Sequence, residues 1–234
     1  NEPMVKRGKI VAIVQARMGS HRLSNKSLLD LHGYPVIEWV FRRANKARLL
    51  DNLVFAIPSS RKDDPLSDCL AGLGANVFRG DEFDLIDRFY HAAKEWDASY
   101  VVRICADSPF ISGSEIDRLI DFFLAGKLDY AYNHIPENNC YPDGIGAEMI
   151  TLKVLERLHA EVVDPHDREH VTSYIKAHSD VFSIGTFDPE DQRLQCPEIR
   201  VDLDTPEDYE KLLQMDVGIE MEAHEIIKAA RALI

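Results

Sequence analysis

Short runs of β-branched and aliphatic residues recur along this chain, each followed by a segment with helical spacing. That alternation limits the possible folds more than any other feature. Lys9 to Gln15 (KIVAIVQ) is an almost unbroken apolar run, as expected of a strand buried on both faces of a sheet. Asn52 to Ile57, Asn76 to Arg79, Tyr100 to Ile104 and Asp129 to Asn133 are shorter runs of the same kind. Between them, Asp84 to Trp96 places Leu85, Ile86, Phe89, Ala92, Ala93 and Trp96 on one helical stripe, and Val36 to Ala47 and Ser114 to Leu124 behave alike. Strand, helix, strand in succession implies βαβ crossovers, hence a three-layer α/β sandwich around a mainly parallel sheet. In such a sheet the ligand crevice lies beyond the carboxyl ends of the strands, so functional residues are expected just after strands.

The pattern loosens after about residue 134. Cys140 to Gly146 (CYPDGIG) is turn-rich, and a strand at Ala147 to Thr151 and a helix from Lys153 follow. Residues 134–152 read as an insertion or small antiparallel arm. Strands are expected at Phe182 to Phe187 and Ile199 to Asp202, a helix from Pro206 and a last helix from Glu222 to Ile234. No repeat or linker divides the chain, so residues 9–234 read as one domain behind a flexible tail at residues 1–8. The tail is polar and does not resemble a secretory signal, and no apolar run reaches the length of a membrane span. A cytoplasmic protein that does not enter membranes is expected.

Charge narrows the partners. With 27 Lys plus Arg against 40 Asp plus Glu the net charge is −13, which should repel a nucleic-acid polymer. Some of the acidity could instead be carboxylates that hold cations. Cys69, Cys105, Cys140 and Cys196 contain no CxxC pair, so neither a zinc ribbon nor a disulfide framework fits.

Three segments carry chemistry. After the first strand comes QARMGSHRLSNKSL (Gln15 to Leu28), where Gly19 and Ser20 sit among Arg17, Arg22 and Lys26. Exposed backbone N–H groups and cations beyond a parallel strand suit a polyphosphate, although a solvated basic loop would read the same way. Neither GxxxxGK[ST] nor GxGxxG is present, so the motifs of ATPases and dehydrogenases are absent. In RICADSP (Arg103 to Pro109), Asp107 follows another strand and could ligate Mg2+ or cap the next turn. In RVDLDTPED (Arg200 to Asp208), Asp202 and Asp204 precede a helix start at Thr205 and Pro206. Asp63 and Asp64 before Pro65 read as a helix start, and Glu207, Asp208 and Glu210 as a solvated first turn. Trp39, Trp96, Phe41, Phe89, Phe122 and Phe123 recur at helical spacing, which assigns them to the core or to a subunit contact. HDREH (His166 to His170) fits the short HxxEH zinc pattern, but Asp164 and Pro165 place the helix start near Asp167, leaving His166 outside it.

QARMGSHRLSNKSL, FRGDEFDLIDRFY, VVRICADSP, PDGIGAE, DREHVTSYI and VDLDTPEDYE occur in an order that resembles the cytidylyltransferases of spore-coat polysaccharide biosynthesis. These are relatives of the CMP-KDO and CMP-sialate synthetases. The resemblance runs from about Lys9 to about Leu213 and implies a Rossmann-like nucleotide-diphospho-sugar transferase fold. It implies transfer of CMP from CTP to an acidic sugar or related acid, with release of pyrophosphate, for surface polysaccharide. It further implies that Arg17, Ser20, Arg22 and Lys26 grip the triphosphate, with Ala16, Ser59, Arg79 and Gly80 around base and ribose and Arg103 beneath the nucleotide. Asp107 and Asp204 become the Mg2+ carboxylates, with Arg17 and Lys26 beside them in the catalytic set. Asp143, Glu148, Arg168, Glu169 and His170 fall where such enzymes meet the acceptor or a partner subunit, and a homodimer is expected, with Cys140 to Gly146 as a contact. Ser24 and Asn25 depart from a family pattern of proline and glycine, and Cys105 and Ala106 from a typical glycine. A sugar phosphate or phosphonate acceptor, a different base, and a non-catalytic nucleotide binder remain alternatives on sequence alone.

Overall fold

A computed structural model describes residues 6–234. The expected tail falls largely on residues 1–5, outside the described residues. Arg7 Nη2 donates to Leu49 O at 3.2 Å and lies 3.4 Å from Asp51 Oδ2.

The strands are β1 (Ile10–Gln15), β2 (Asp30–Leu31), β3 (Tyr34–Pro35), β4 (Asn52–Pro58), β5 (Asn76–Gly80), β6 (Tyr100–Cys105), β7 (Tyr130–Tyr132), β8 (Glu148–Thr151) and β9 (Ile184–Thr186). The helices are α1 (Val36–Ala44), α2 (Asp64–Gly72), α3 (Leu85–Glu95), α4 (Gly113–Gly126), α5 (Leu152–Glu161), α6 (Pro165–His170), α7 (Ser173–Ala177), α8 (Pro206–Gln214) and α9 (Ala223–Arg231). Seven strands form the main sheet in the order β5-β4-β1-β6-β8-β7-β9, while β2 and β3 make a two-stranded antiparallel sheet of their own. Among the described strands of the main sheet, only β8 runs against its neighbours, β6 and β7.

The apolar run of β1 has a direct cause. Ile10, Ala12 and Val14 pack against α1, α2 and α4, whereas Val11 and Ile13 face α3 and α5 on the other side. Both faces of the strand are therefore core, so a polar residue on either would lose its water without a partner. A third apolar cluster joins Val36, Trp39, Phe110 and Tyr141 to the C-terminal segments and α9.

The chain departs from β1 in two directions: β4 and β5 build outward on one side, and β6 lies on the other. The reversal between β1 and β6 opens a crevice beyond their carboxyl ends. Gln15 pairs in register with Cys105 there, so the residues after each strand emerge side by side.

The structure corrects several expectations. Ile199 to Asp202 forms no strand beyond an isolated bridge between Asp143 and Arg200, because its apolar residues Ile199 and Val201 pack into the third cluster instead of a ladder. In the 140–146 segment Tyr141 and Ile145 are fully buried in this chain. Gly144 explains part of that turn: its φ is +110°, and a Cβ would sit 2.7 Å from Asp202 N, so only glycine fits. Helix α6 begins at Pro165, capped by the Asp164 side chain, so His166 lies within it. Asp208 is no solvated residue. It closes a capping box with Thr205 and pairs with Arg200 at 2.9 Å.

Candidate active site

The segment after β1 is folded back by local polar contacts. Ser20 N donates to Met18 O at 3.0 Å, and Leu23 N donates to Ser20 Oγ at 3.3 Å. Asn25 holds a left-handed conformation with φ 53°, which asparagine tolerates better than most residues. It thus supplies the backbone shape a glycine would give at that position, and the turn Lys26–Leu28 follows. From below, Met18 N donates to Asp63 Oδ1 at 2.7 Å, and Asp63 is fully buried with Oδ2 unpartnered. Asp63 is therefore a support of this loop rather than a cap of α2, whose N-terminus it does not bond. No local pattern announces this role, since the contact spans 45 residues.

A cleft of about 380 Å³ opens at the switch point, lined by Ala16, Arg17, Ser20, Arg22 and Lys26 from the loop. Asp107, Glu169, His170 and Asp204 line it too. Segments close to a hundred residues apart are joined here by main chain: Leu203 N donates to Asp107 O at 2.7 Å. Asp204 is ion-paired with Arg22 and lies 3.9 Å from Lys26 Nζ. An incoming polyphosphate would compete with Asp204 for these cations.

Acidic groups accumulate beside this cleft. Burial, then the charge of Asp202, pushes Asp143 up to about 6. Asp202 is likewise raised, by burial first, against the pull of Arg200, while Asp107 adds like charge to both. Carboxylate oxygens are hard ligands of the kind that suit Mg2+. Asp107 and Asp204 line the cleft itself and offer carboxylate oxygens that could hold a divalent cation.

Other expected residues lie elsewhere. Ser59 N and Oγ both donate to Gly80 O, at 2.9 and 3.2 Å, joining the ends of β4 and β5. Arg79 donates to Pro58 O, to Ser60 O and to Asp64 Oδ1. A Cβ on Gly80 would sit 2.9 Å from Phe78 Cε1 and 3.0 Å from Arg88 Cγ, so packing alone accounts for that glycine. None of the three lines the cleft.

Arg103 and Glu148 form a buried pair at 2.5 Å, with side chains 15% and 4% exposed. Glu148 also accepts from Tyr130 Oη at 2.5 Å and Thr172 Oγ1 at 2.8 Å, while Arg103 Nε donates to Gln15 Oε1 at 2.9 Å. Burial opposes ionisation of Glu148, but His134, Arg103 and the tyrosine hydroxyl outweigh it and hold its pKa below the usual carboxylate range. Arg168 is also tied down. It donates to Asp84 Oδ2 at 2.7 Å and to the carbonyls of His159 and Val162 at 3.1 and 2.8 Å, locking α6 onto α3. Arg103, Glu148 and Arg168 thus build the walls rather than the lining.

Gln15, His21, Ser27, Glu82, Leu85, Arg88, Cys105 and Ala106 complete the lining of the cleft, beyond the residues expected there. Arg88 is fully buried, and burial followed by repulsion from Arg17 lowers it to about 10. It donates to Asp81 O at 2.7 Å and Glu82 O at 2.8 Å. Gln15, Cys105 and Ala106 could have been found from their place at strand ends; Arg88 reads as one more charge on a helix.

Glu169 and His170 reach the cleft through an unusual turn. Val171, fully buried, has φ 43° and ψ −58°, and Thr172 N donates to His170 O at 2.5 Å. This is a γ-turn of the rare positive-φ type, strained for a β-branched residue. It turns Thr172 onto Glu148 while leaving His170 at the cleft. The His166 and His170 rings stand 4.4 Å apart, but they belong to no group of three converging metal ligands among the described residues.

With this geometry in view, the relatives of the chain are informative. A family model described as cytidylyltransferase matches residues 11–230. The spore coat polysaccharide biosynthesis protein SpsF of Bacillus subtilis is 30% identical over 208 residues, 87% of this chain and 84% of that protein. The 3-deoxy-manno-octulosonate cytidylyltransferase of Bdellovibrio bacteriovorus is 34% identical over 127 residues, 53% of this chain and 49% of that one. A solved cytidylyltransferase from Leptospira borgpetersenii superposes with a TM-score of 0.87 at 28% identity, covering 97% of this chain and 95% of that one. The chain is a nucleotidyltransferase and belongs to the cytidylyltransferase family.

Proposed function

We propose that this enzyme transfers CMP from CTP to an oxygen of an acidic sugar or related acid, releasing pyrophosphate, and that the product serves surface polysaccharide assembly. One observation carries the reading: Arg17, Ser20, Arg22 and Lys26 line the same cleft as Asp107 and Asp204, at the switch point of a parallel sheet. The names of SpsF and of the octulosonate cytidylyltransferase support the acceptor class and the polysaccharide destination.

In this reading an acceptor oxygen attacks the α-phosphorus of CTP. The new O–P bond forms as the bond to the oxygen bridging the α- and β-phosphorus breaks; pyrophosphate departs, and the acceptor proton passes to solvent or to a base. Arg17, Arg22 and Lys26 offset the charge that grows on the leaving group, and Ser20 offers backbone and hydroxyl donors to the phosphates. Asp107 and Asp204 would hold Mg2+, which when bound supplies positive charge to the phosphate oxygens and lowers the pKa of a coordinated hydroxyl. Glu169 and His170 line the cleft where the acceptor is expected, held there by the Val171 turn.

The test combines two panels. Thermal shifts with CTP, UTP, GTP and ATP plus Mg2+ should be largest for CTP. Pyrophosphate release with CTP should appear with acidic sugars and be absent with neutral sugars. Equal turnover of sugar phosphates or phosphonates would replace the acceptor assignment, and tight CTP binding without pyrophosphate from any acceptor would remove the catalytic one.

A further inference from the structure

Away from the cleft, where α3 packs on α5, three side chains aim donor atoms at one another. Asp87 and His91 stand one helical turn apart on α3, and His159 reaches across from α5. The Nε2 atoms of His91 and His159 lie 3.1 and 2.8 Å from the same oxygen, Asp87 Oδ1. One ligand atom from each of the three residues lies within 4.8 Å of the others. Zn2+ in tetrahedral coordination, with bonds of about 2.0–2.2 Å, sets its ligand atoms roughly 3.3–3.6 Å apart. The two separations to Asp87 Oδ1 are therefore within an ångström of metal-ligand spacing.

The surroundings fix this geometry. The His159 ring stacks on Tyr90 with centroids 4.1 Å apart, and Arg168 Nη1 donates to His159 O at 3.1 Å. Asp87 N donates to Asp84 Oδ1 at 2.9 Å in the N-cap of α3. The side chains of Asp87 and His159 are 32% and 29% exposed and that of His91 54%, so an ion can enter from solvent without opening the core.

We propose that Asp87, His91 and His159 form a metal site, separate from the Mg2+ carboxylates, for a divalent first-row transition ion of the Zn2+ type. Two imidazoles and one carboxylate favour such an ion over Mg2+, which prefers oxygen alone. The fourth position faces water. Helix α3 carries Leu85 and Arg88 to the cleft, and α5 leads into α6, which carries Glu169 and His170 there. An ion at this site pins the two walls of the cleft to each other.

The experiment is a titration of the full chain, first stripped with a chelator, with Zn2+ alone in competition with a chromogenic chelator. One Zn2+ per chain is expected, together with a rise in Tm of roughly 5–10 °C when Zn2+ stands at 100 times its Kd. His91→Ala, at the most exposed of the three positions, tests the site without disturbing the core; His159→Gln tests it from the other helix. Losing an outer-shell partner costs about 10–100-fold in metal affinity, so losing either ligand should cost at least that. Asp107→Asn should retain the Zn2+, which separates this site from the cleft. No bound Zn2+, or binding unchanged in either histidine variant, overturns the proposal and leaves Asp87 as a hydrogen-bond acceptor for two imidazoles.

Discussion

Replacing Glu148 by glutamine separates a wall residue from an acceptor ligand. The carboxylate is almost wholly buried, 2.5 Å from the Arg103 guanidinium, and accepts from two hydroxyls. The substituted amide could keep those hydroxyl contacts through its one oxygen, but Arg103 would lose its only anionic partner within the pair while staying 15% exposed. Breaking one side of a buried ion pair costs about 3–5 kcal/mol, because the surviving charge stays desolvated. The partial exposure of Arg103 places the expected loss near the lower end, about 3 kcal/mol. For a chain of this length that corresponds to a fall in Tm of roughly 6–12 °C. Adding Arg103→Met should recover at least half of the loss, since the stranded charge is then gone, and the double-mutant cycle reads the coupling directly. Denaturant titration and thermal melts measure both, and steady-state kinetics at a temperature where the variant is folded give KM for the acceptor. A Glu148→Gln protein that melts within about 2 °C of the parent but shows a raised acceptor KM would refute this placement and return Glu148 to the acceptor site.

Two further outcomes follow from buried carboxylates. Glu115 is 2% exposed, with Arg118 Nε 3.0 Å from its Oε2. Burial pushes its pKa from 4.5 up to about 7. Because the folded state keeps a proton on Glu115 that the unfolded state releases, the contribution of Glu115 to stability should be fully present below pH 4.5, fall between there and 7, and level off above. At about 1.4 kcal/mol per unit the loss is on the order of 3 kcal/mol; Glu115→Gln should remove this part of the pH dependence, and denaturation midpoints of variant and parent at several pH values would show the difference. At Asp63, alanine removes the acceptor for Met18 N–H, and a lost hydrogen bond to a charged group costs about 1.5–3 kcal/mol. KM for CTP should rise by roughly tenfold or more, while Asp63→Asn, which keeps an acceptor oxygen, should change it less; equal KM in both variants and the parent would dismiss Asp63 as a loop support.

The parts of the fold legible in the sequence were those whose signal is local. The run in β1 had to be apolar on both faces, and the stripe of α3 had to face one side, so both elements and the parallel sheet between helices could be read directly. Ile199 to Asp202 misled because its alternation also serves a strand-like segment packed onto a cluster without a ladder. The cations after β1 were legible for the same reason: they follow a buried strand and so emerge at the crevice. Arg79, Arg103, Glu148 and Arg168 were not, because a charge's role depends on partners far along the chain. Glu148 meets Arg103 across 45 residues, and Arg168 meets Asp84 across 84. Asp63 and Arg88 were missed on the same ground, since nothing near them in the sequence shows that they are buried.

The central claim is that the cationic loop and the carboxylates of one cleft act together on CTP. It is tested most directly by the initial rate of CTP-dependent pyrophosphate release, with the acceptor found in the panel, for the parent protein, Lys26→Ala and Asp107→Ala. Thermal melts establish that each variant is folded. Each variant should lose on the order of 10²-fold or more in rate, as expected when a charge contact to the developing transition state is removed. Turnover within about twofold of the parent in either folded variant, less than about 0.5 kcal/mol of barrier, would contradict the assignment of the site.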